Sequence, residues 1–301
     1  MNILDFLADQ IKKNSLIEIL LFRKDKIQEE FFDKDEVGTT THLNRTLDEI
    51  FSLTLNQGPL YRRWSKEIDG KIRDLSIPKP PLRKLLENYV LPLVKTQQTH
   101  ANCHGGEKNW SPERSLTTHL PIGSALSFDL KSAFEFFPIS EIYRFYSDLV
   151  GNTFSHSNEI ISFFTEVSTV PYGNHRGLPV GSLLSIALIN RTLFNLDTQL
   201  DENAEEKGFR YSRWIDDITI SSPSRSGIEN FLGAVDLTNA RYPVSPIKIF
   251  FQNSSQDIYL LGHKITPEGR VLKNTREERT LRKPPALNYE LIKRMDYETW
   301  T

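Results

Sequence analysis

The segment "RYSRWIDDITISS", residues 210–222, constrains the fold more than any other stretch. Its apolar and β-branched residues, Trp214, Ile215, Ile218, Thr219 and Ile220, are strand composition. Two adjacent carboxylates, Asp216 and Asp217, interrupt it. An isolated buried carboxylate takes up a proton rather than bury its charge, and a second acid beside it adds repulsion. The segment therefore reads as a β-hairpin with the acids at its tip. There they serve either as ordinary turn formers or as ligands of a cation. A hard dication such as Mg²⁺ prefers oxygen donors, and its usual protein site is one or two carboxylates plus substrate phosphates.

A cation site needs a further carboxylate from elsewhere in the chain. "ALSFDL", residues 125–130, reads as a short strand with Asp129 at its end. Taken alone, Asp129 also fits a helix cap. Taken with Asp216 and Asp217, it completes a three-carboxylate site. Two metal ions about 3.5–4 Å apart in such a site stabilise the attacking and leaving oxygens of a phosphoryl transfer.

The remaining pattern sets these strands in an α+β frame. Residues 1–56 read as helical, and Gly58-Pro59 breaks the pattern. "KEIDGKIRDLSIP" reads as a β-hairpin on Asp69-Gly70, followed by a helix over "PPLRKLLENYVLPLV". Residues 96–123 read as a long loop. A helix over "PISEIYRFYSDLVG" ends near Gly151, and "GLPVGS" is a turn. It feeds one long helix, "LLSIALINRTLFNLDTQLDENAEEKG", stopped by Gly208. Next come a helix over "GIENFLGAVDLTNA" and strands over "IKIFF" and "DIYLLGHKIT". From residue 124 the order predicts an antiparallel sheet with helices on one face.

Bulk properties narrow the class. The chain has 301 residues, enough for one large or two modest domains, and one cysteine, Cys103, which excludes an internal disulfide framework. No apolar run reaches the roughly 18 residues a membrane span needs. The start carries Asp5 and Asp9, unlike a secretory signal, so a cytoplasmic protein with no membrane partner is expected. The net charge of −2 does not argue for nucleic acid, but its distribution is uneven. Residues 61–95 hold 9 bases against 4 acids, and residues 270–294 hold 8 against 3. Two basic blocks fit either a nucleic-acid groove or ordinary solvated faces.

At this point six motifs, in order, resemble those of reverse transcriptases. They are "KEIDGKIRDLSIP" (the fingers hairpin), "FDLKSAF" (the first palm motif), "RGLPVGSLLS", "RWIDDITIS", "SPIKIFF" and "YLLGHKI" (the primer grip). Together they cover roughly residues 61–270, and the bacterial branch, retron-like or defence-associated, is the nearest in form. The resemblance implies a right-hand polymerase with a ferredoxin-like palm sheet. Residues 1–60 would be an N-terminal helical segment, 61–125 fingers, 126–250 palm, and 251–301 the primer-grip hairpin with a rudimentary thumb. The implied activity is RNA-directed DNA synthesis from deoxynucleoside triphosphates. It would use two Mg²⁺ ions, with Mn²⁺ able to substitute. The implied partners are an RNA template, a structured non-coding RNA, and a DNA product, with a role in anti-phage defence.

The resemblance also implies roles. Asp129 and Asp216 would bridge the metals, with Asp217 as a further acid. Lys66 and Arg73 would clamp the triphosphate, and Phe134 would exclude a ribose 2′-hydroxyl. Gly177, Pro179, Val180 and Gly181 would line the nucleotide, Lys248 would protonate the leaving pyrophosphate, and Leu261, Gly262 and His263 would form the primer grip. The chain also departs from the family. Val180 stands where the family carries glutamine, and Trp214-Ile215 replaces Tyr-Ala. Only about thirty residues follow the primer grip, which points to duplex support from RNA, a partner subunit or a second copy. These departures leave open template-independent, protein-templated or protein-primed synthesis, and an inactive nucleic-acid-binding scaffold. Elsewhere, His100, Cys103 and His104 are a poor zinc set, His119 and His175 read as loop or groove histidines, and Trp110 is either buried or a base-stacking platform.

Overall fold

The computed structural model describes residues 36–55, 59–68, 71–151, 157–224, 228, 231 and 250–274. Lys248, the Asp69-Gly70 turn, segment 1–35 and the basic tail from residue 275 lie outside the described residues, as does most of the helix expected over 227–240. The chain divides into two compact units, Met1–Gln98 with Phe134–Thr192, and Thr99–Ala133 with Leu193–Thr301. Strands are numbered β1–β11 in chain order.

In the first unit, the helix Glu36–Leu55 buries Leu43, Leu47 and Ile50, one stripe at helical spacing. It packs on the helix Pro80–Leu85, which begins on consecutive prolines and buries Leu82 and Leu85. That helix continues through a π-helical turn, Leu86–Val90, into Leu91–Val94, as expected for the apolar run there. Strands β1 (Tyr61–Ile68) and β2 (Lys71–Pro78) form the expected hairpin, with Ile68 opposite Lys71. The helix Ile139–Val150 ends on Gly151, whose φ of 69° is the left-handed conformation glycine adopts without penalty. It packs on a helix absent from the expected order, Ser157–Ser168, through Tyr146 and Phe164, whose ring centroids lie 5.2 Å apart. A short ribbon, β4 (Val170–Tyr172) with β5 (His175–Gly177), was likewise not expected.

The single long helix expected after "GLPVGS" is two helices, Leu183–Thr192 and Phe194–Glu205. Leu193 leaves helical geometry, with ψ of 4°, and the boundary between the units falls at this break. The sequence hid the break because no glycine or proline marks it.

The second unit is built on a four-stranded antiparallel sheet in the order β6-β7-β3-β8. These are β6 (Arg210–Trp214), β7 (Asp217–Ser222), β3 (Ser124–Asp129) and β8 (Phe250–Asn253). The first strand of this sheet in the chain, β3, lies between β7 and β8 and is antiparallel to both, the antiparallel sheet that the element order predicts. Leu126, Phe128, Ile218 and Ile220 are fully buried, each worth roughly 1.5–3 kcal/mol relative to exposure. A three-stranded sheet follows, β9 (Ile258–Leu260), β10 (His263–Ile265) and β11 (Val271–Lys273). Its inner residues Ile258, Leu260 and Ile265 form one cluster with Ala125 of β3, Ile122 and Leu116. Leu116 belongs to a helix, Pro112–Thr117, inside what the sequence reads as loop. Ser111 caps it, its side chain accepting from Arg114 N at 3.2 Å.

Candidate active site

Strands β6 and β7 are the two arms of the opening hairpin. Trp214 stands opposite Asp217, so Ile215 and Asp216 are the two loop residues. On the other side of β7, Asp129 stands opposite Asp217. Trp214, Asp217 and Asp129 therefore form one row across three strands, on one face of the sheet. Two like charges directly opposite each other in an antiparallel pair repel, and a bound cation would offset that repulsion. Asp129, Asp216 and Asp217 are all half-buried, and the Asp216 carbonyl accepts from Leu130 N at 3.0 Å. The backbone thus brings the three expected acids to one end of the sheet.

Among the described residues, no three His, Cys, Asp or Glu side chains are gathered closely enough to hold a metal ion as they stand. The donor chemistry still suits Mg²⁺, which keeps several waters and uses one or two carboxylates plus substrate phosphates rather than an all-protein cage. Asp129 and Asp217 face each other and Asp216 adjoins them, so these are the carboxylates that would hold such an ion.

The hairpin tip is conformationally unusual. Ile215 has φ of 59°, a β-branched residue in the left-handed region, which costs of order 1–3 kcal/mol. Its surroundings hold it there. The Arg213 guanidinium donates to the Ile215 carbonyl at 2.6 Å and to both carboxylate oxygens of Asp197 at 2.6 Å. It also donates to Cys103 Sγ at 3.2 Å, and the Tyr211 hydroxyl donates to Asp197. Arg213 and Asp197 are completely buried. Burial works against the Arg213 charge, but the Asp197 carboxylate outweighs it and holds the guanidinium proton more tightly than usual. The Arg213 backbone is gripped as well, its N–H donating to Asn102 O at 2.9 Å and its carbonyl accepting from His104 N at 2.8 Å. Gly105 lies against the tip, where a Cβ would stand 2.5 Å from Ile215 N.

Sequence reading took His119, a core residue, for a loop or groove histidine, and it missed Arg213, Asp197 and Gly105. Their only signal was position, a charged residue within a strand and an acid on an apolar helix face. His119 is fully buried and bridges β6 and β7, with Nδ1 2.6 Å from Ser221 Oγ and Nε2 2.7 Å from Ser212 Oγ. Burial pushes its imidazole down to about 3, helped by His104 and Arg210. The folded value lies below the unfolded one, so the unfolded state binds the proton first. The His119 contribution to stability is therefore complete above about pH 6.5 and is lost as pH falls toward 3. At pH 5 we expect a loss of about 2 kcal/mol from this residue, read as a lower melting temperature. His119→Asn should flatten the pH dependence between 7 and 5.

The histidines and cysteine considered for zinc have other partners. His100 lies 3.6 Å from Asp201, His104 Nδ1 is 2.8 Å from Ser115 Oγ, and Cys103 meets Arg213. Trp110 stacks on His104 at 3.5 Å with Arg114 4.9 Å over its ring, so its rings contacts are within the chain. In the β9–β10 hairpin, Leu261 and Gly262 both have positive φ, 48° and 72°, the geometry of a two-residue hairpin turn. His263 Nδ1 donates to Leu261 O at 2.8 Å, and Nε2 lies 2.8 Å from Glu113.

The expected nucleotide-binding residues lie in the first unit. Lys66 and Arg73 are directly opposite on β1 and β2, both exposed, so they present two positive charges on one face. The loop 177–181 is hydrogen-bonded to the same hairpin: Val180 O accepts from Ser76 N of β2 at 2.9 Å, and Pro179 O accepts from Ser185 Oγ at 2.8 Å. Leu178 N donates to Phe134 O at 2.7 Å. Gly177 is required there, since a Cβ would stand 2.1 Å from Glu135 O. Gly181 has φ of 101°, a conformation side chains rarely adopt. Phe134, Gly177, Pro179, Val180 and Gly181 thus form one connected group beside β2.

Comparisons with known proteins bear on this geometry. The family described as reverse transcriptase (RNA-dependent DNA polymerase) matches residues 65–265. The Retron Mx162 reverse transcriptase of Myxococcus xanthus is 28% identical over 167 residues, covering 51% of this chain and 33% of that protein. The chain thus matches only a third of that relative's length. Among solved structures, apo telomerase from Candida tropicalis aligns with a TM-score of 0.50 at 13% identity, over 78% of this chain and 51% of that one, a likeness of fold. The family match spans both the paired acids of β3 and β7 and the basic hairpin β1–β2, and by it the chain belongs to the reverse transcriptase family.

Proposed function

We propose that the chain is an RNA-directed DNA polymerase that adds deoxynucleotides to a primer, with Asp129, Asp216 and Asp217 holding two Mg²⁺ ions. The observation that carries this reading is Asp129 facing Asp217 across β3 and β7, with Asp216 in the adjoining two-residue loop. When bound, such ions activate the primer hydroxyl and neutralise charge on the leaving pyrophosphate. Residues 126–250 act as palm, 61–125 as fingers and 251–301 as primer-grip hairpin and short thumb-like tail. Lys66 and Arg73 screen the triphosphate, and positioning and charge stabilisation are what phosphoryl transfer asks of a protein. Phe134 bars a ribose 2′-hydroxyl. Lys248, outside the described residues, is the proposed proton donor to pyrophosphate. A structured RNA template, a supporting partner or second copy, and a role in anti-phage defence rest on the family resemblance.

The purified chain, given an RNA template, a DNA primer and four deoxynucleoside triphosphates, should make product complementary to the template. Sequencing that product before and after RNA removal decides the reading. A defined product made without RNA would contradict it and favour template-independent synthesis, for which Val180 in place of glutamine is the motive. Replacing Lys66 or Arg73 with alanine should raise the triphosphate KM about tenfold, about 1.4 kcal/mol of binding, with a smaller change in kcat. A steady-state titration of triphosphate measures both.

A further inference from the structure

Asp216 is a two-residue-loop residue, and a loop carboxylate is aimed by the two peptide planes that flank it. Both planes are fixed by hydrogen bonds on their carbonyls. The Asp216 carbonyl, after the residue, accepts from Leu130 N at 3.0 Å. The Ile215 carbonyl, before it, accepts from Arg213 at 2.6 Å. The first bond comes from the residue that follows Asp129, so it ties the two acidic segments together. The second comes from a side chain on the buried face of the sheet, in the row of Ile218 and Phe128 and opposite to the row of Trp214, Asp217 and Asp129.

We propose that Arg213 is a positioning residue for the nucleotidyl-transfer site, clamped by Asp197 so that its Nη1 holds the strained Ile215 peptide and thereby aims the Asp216 carboxylate. The Asp197 carboxylate takes two guanidinium nitrogens, Nε and Nη2, in a fork. That leaves Nη1 directed at Ile215 O. The Tyr211 hydroxyl also donates to Asp197 Oδ1, a third bond that holds the acid in the fork. Asn102 and His104 hold the Arg213 backbone from the other side. Only arginine has the planar five-donor geometry to serve both acceptors at once, and a lysine ammonium would satisfy the charge but not the span. Ile215 at φ of 59° is the part that would relax if the bond were lost.

This inference rests on Asp216 holding metal, and the test separates the two. Arg213→Lys keeps positive charge beside Asp197 and should fold. We expect its kcat to fall about 10- to 100-fold, the usual cost of losing a group that orients a metal ligand. The Mg²⁺ concentration for half-maximal rate should rise by a similar order, while the triphosphate KM and primer–template affinity stay within about twofold. The double variant Arg213→Met with Asp197→Leu removes both charges, and its melting temperature should lie near that of the parent while kcat and Mg²⁺ dependence remain impaired. Unchanged kcat and Mg²⁺ dependence in Arg213→Lys would overturn the proposal, as would a double variant that recovers both stability and kcat. Asp216→Asn is run beside them. Full activity there would overturn the metal reading itself, whereas loss there with an unaffected Arg213→Lys overturns only the clamp.

Discussion

Asp129→Asn is expected to lower the rate of RNA-templated nucleotide addition at least about a thousandfold, with the fold intact. The substitution keeps size and shape, and it removes one of the two charges facing each other across β3 and β7. It should even relieve a like-charge repulsion in the metal-free protein. Stability and activity therefore move in opposite directions, with a melting temperature equal to or above that of the parent and no measurable extension. Thermal unfolding and primer extension on one preparation check both. A variant that loses activity and melts lower would mean that Asp129 serves the fold rather than the chemistry.

The second large effect is on stability. Asp197→Leu leaves the Arg213 charge completely buried without its partner, and removing one member of such a pair costs about 3–5 kcal/mol. The Tyr211 hydroxyl loses its acceptor in the same step. Urea unfolding followed by tryptophan fluorescence measures the change. Adding Arg213→Met to the same protein should return most of it, since a buried ion pair replaced on both sides by apolar groups is close to neutral. A loss under about 1 kcal/mol for the single variant would show that the pair is not dry.

What the sequence made legible was local and periodic. The β6–β7 hairpin, the β1–β2 hairpin and the helix ending at Gly151 each carry their own turn or cap signal. Asp129 could be grouped with Asp216 and Asp217 from the need for a further carboxylate, but its place opposite Asp217 could not be read, because no local rule gives the register of β3 on β7. The break at Leu193 was illegible, since the local composition suits a helix throughout and no glycine or proline marks it. The helix Pro112–Thr117 was illegible for the opposite reason: its single cap at Ser111 sits inside a polar stretch rich in turn residues. Arg213 was read past because its meaning lies in Asp197, sixteen residues away on another element, and in the carbonyl of Ile215. The residues Trp214 and Ile215 did mark something unusual. Ile215 carries the strained peptide, and Trp214 stands beside Asp217 in the acidic row.

The most direct measurement is single-nucleotide addition on an RNA template, run with the parent and Asp216→Asn in the same Mg²⁺ buffer. The account predicts template-directed addition by the parent that a chelator stops, and none by Asp216→Asn. Equal rates in the two proteins, or addition that persists in chelator, would contradict it.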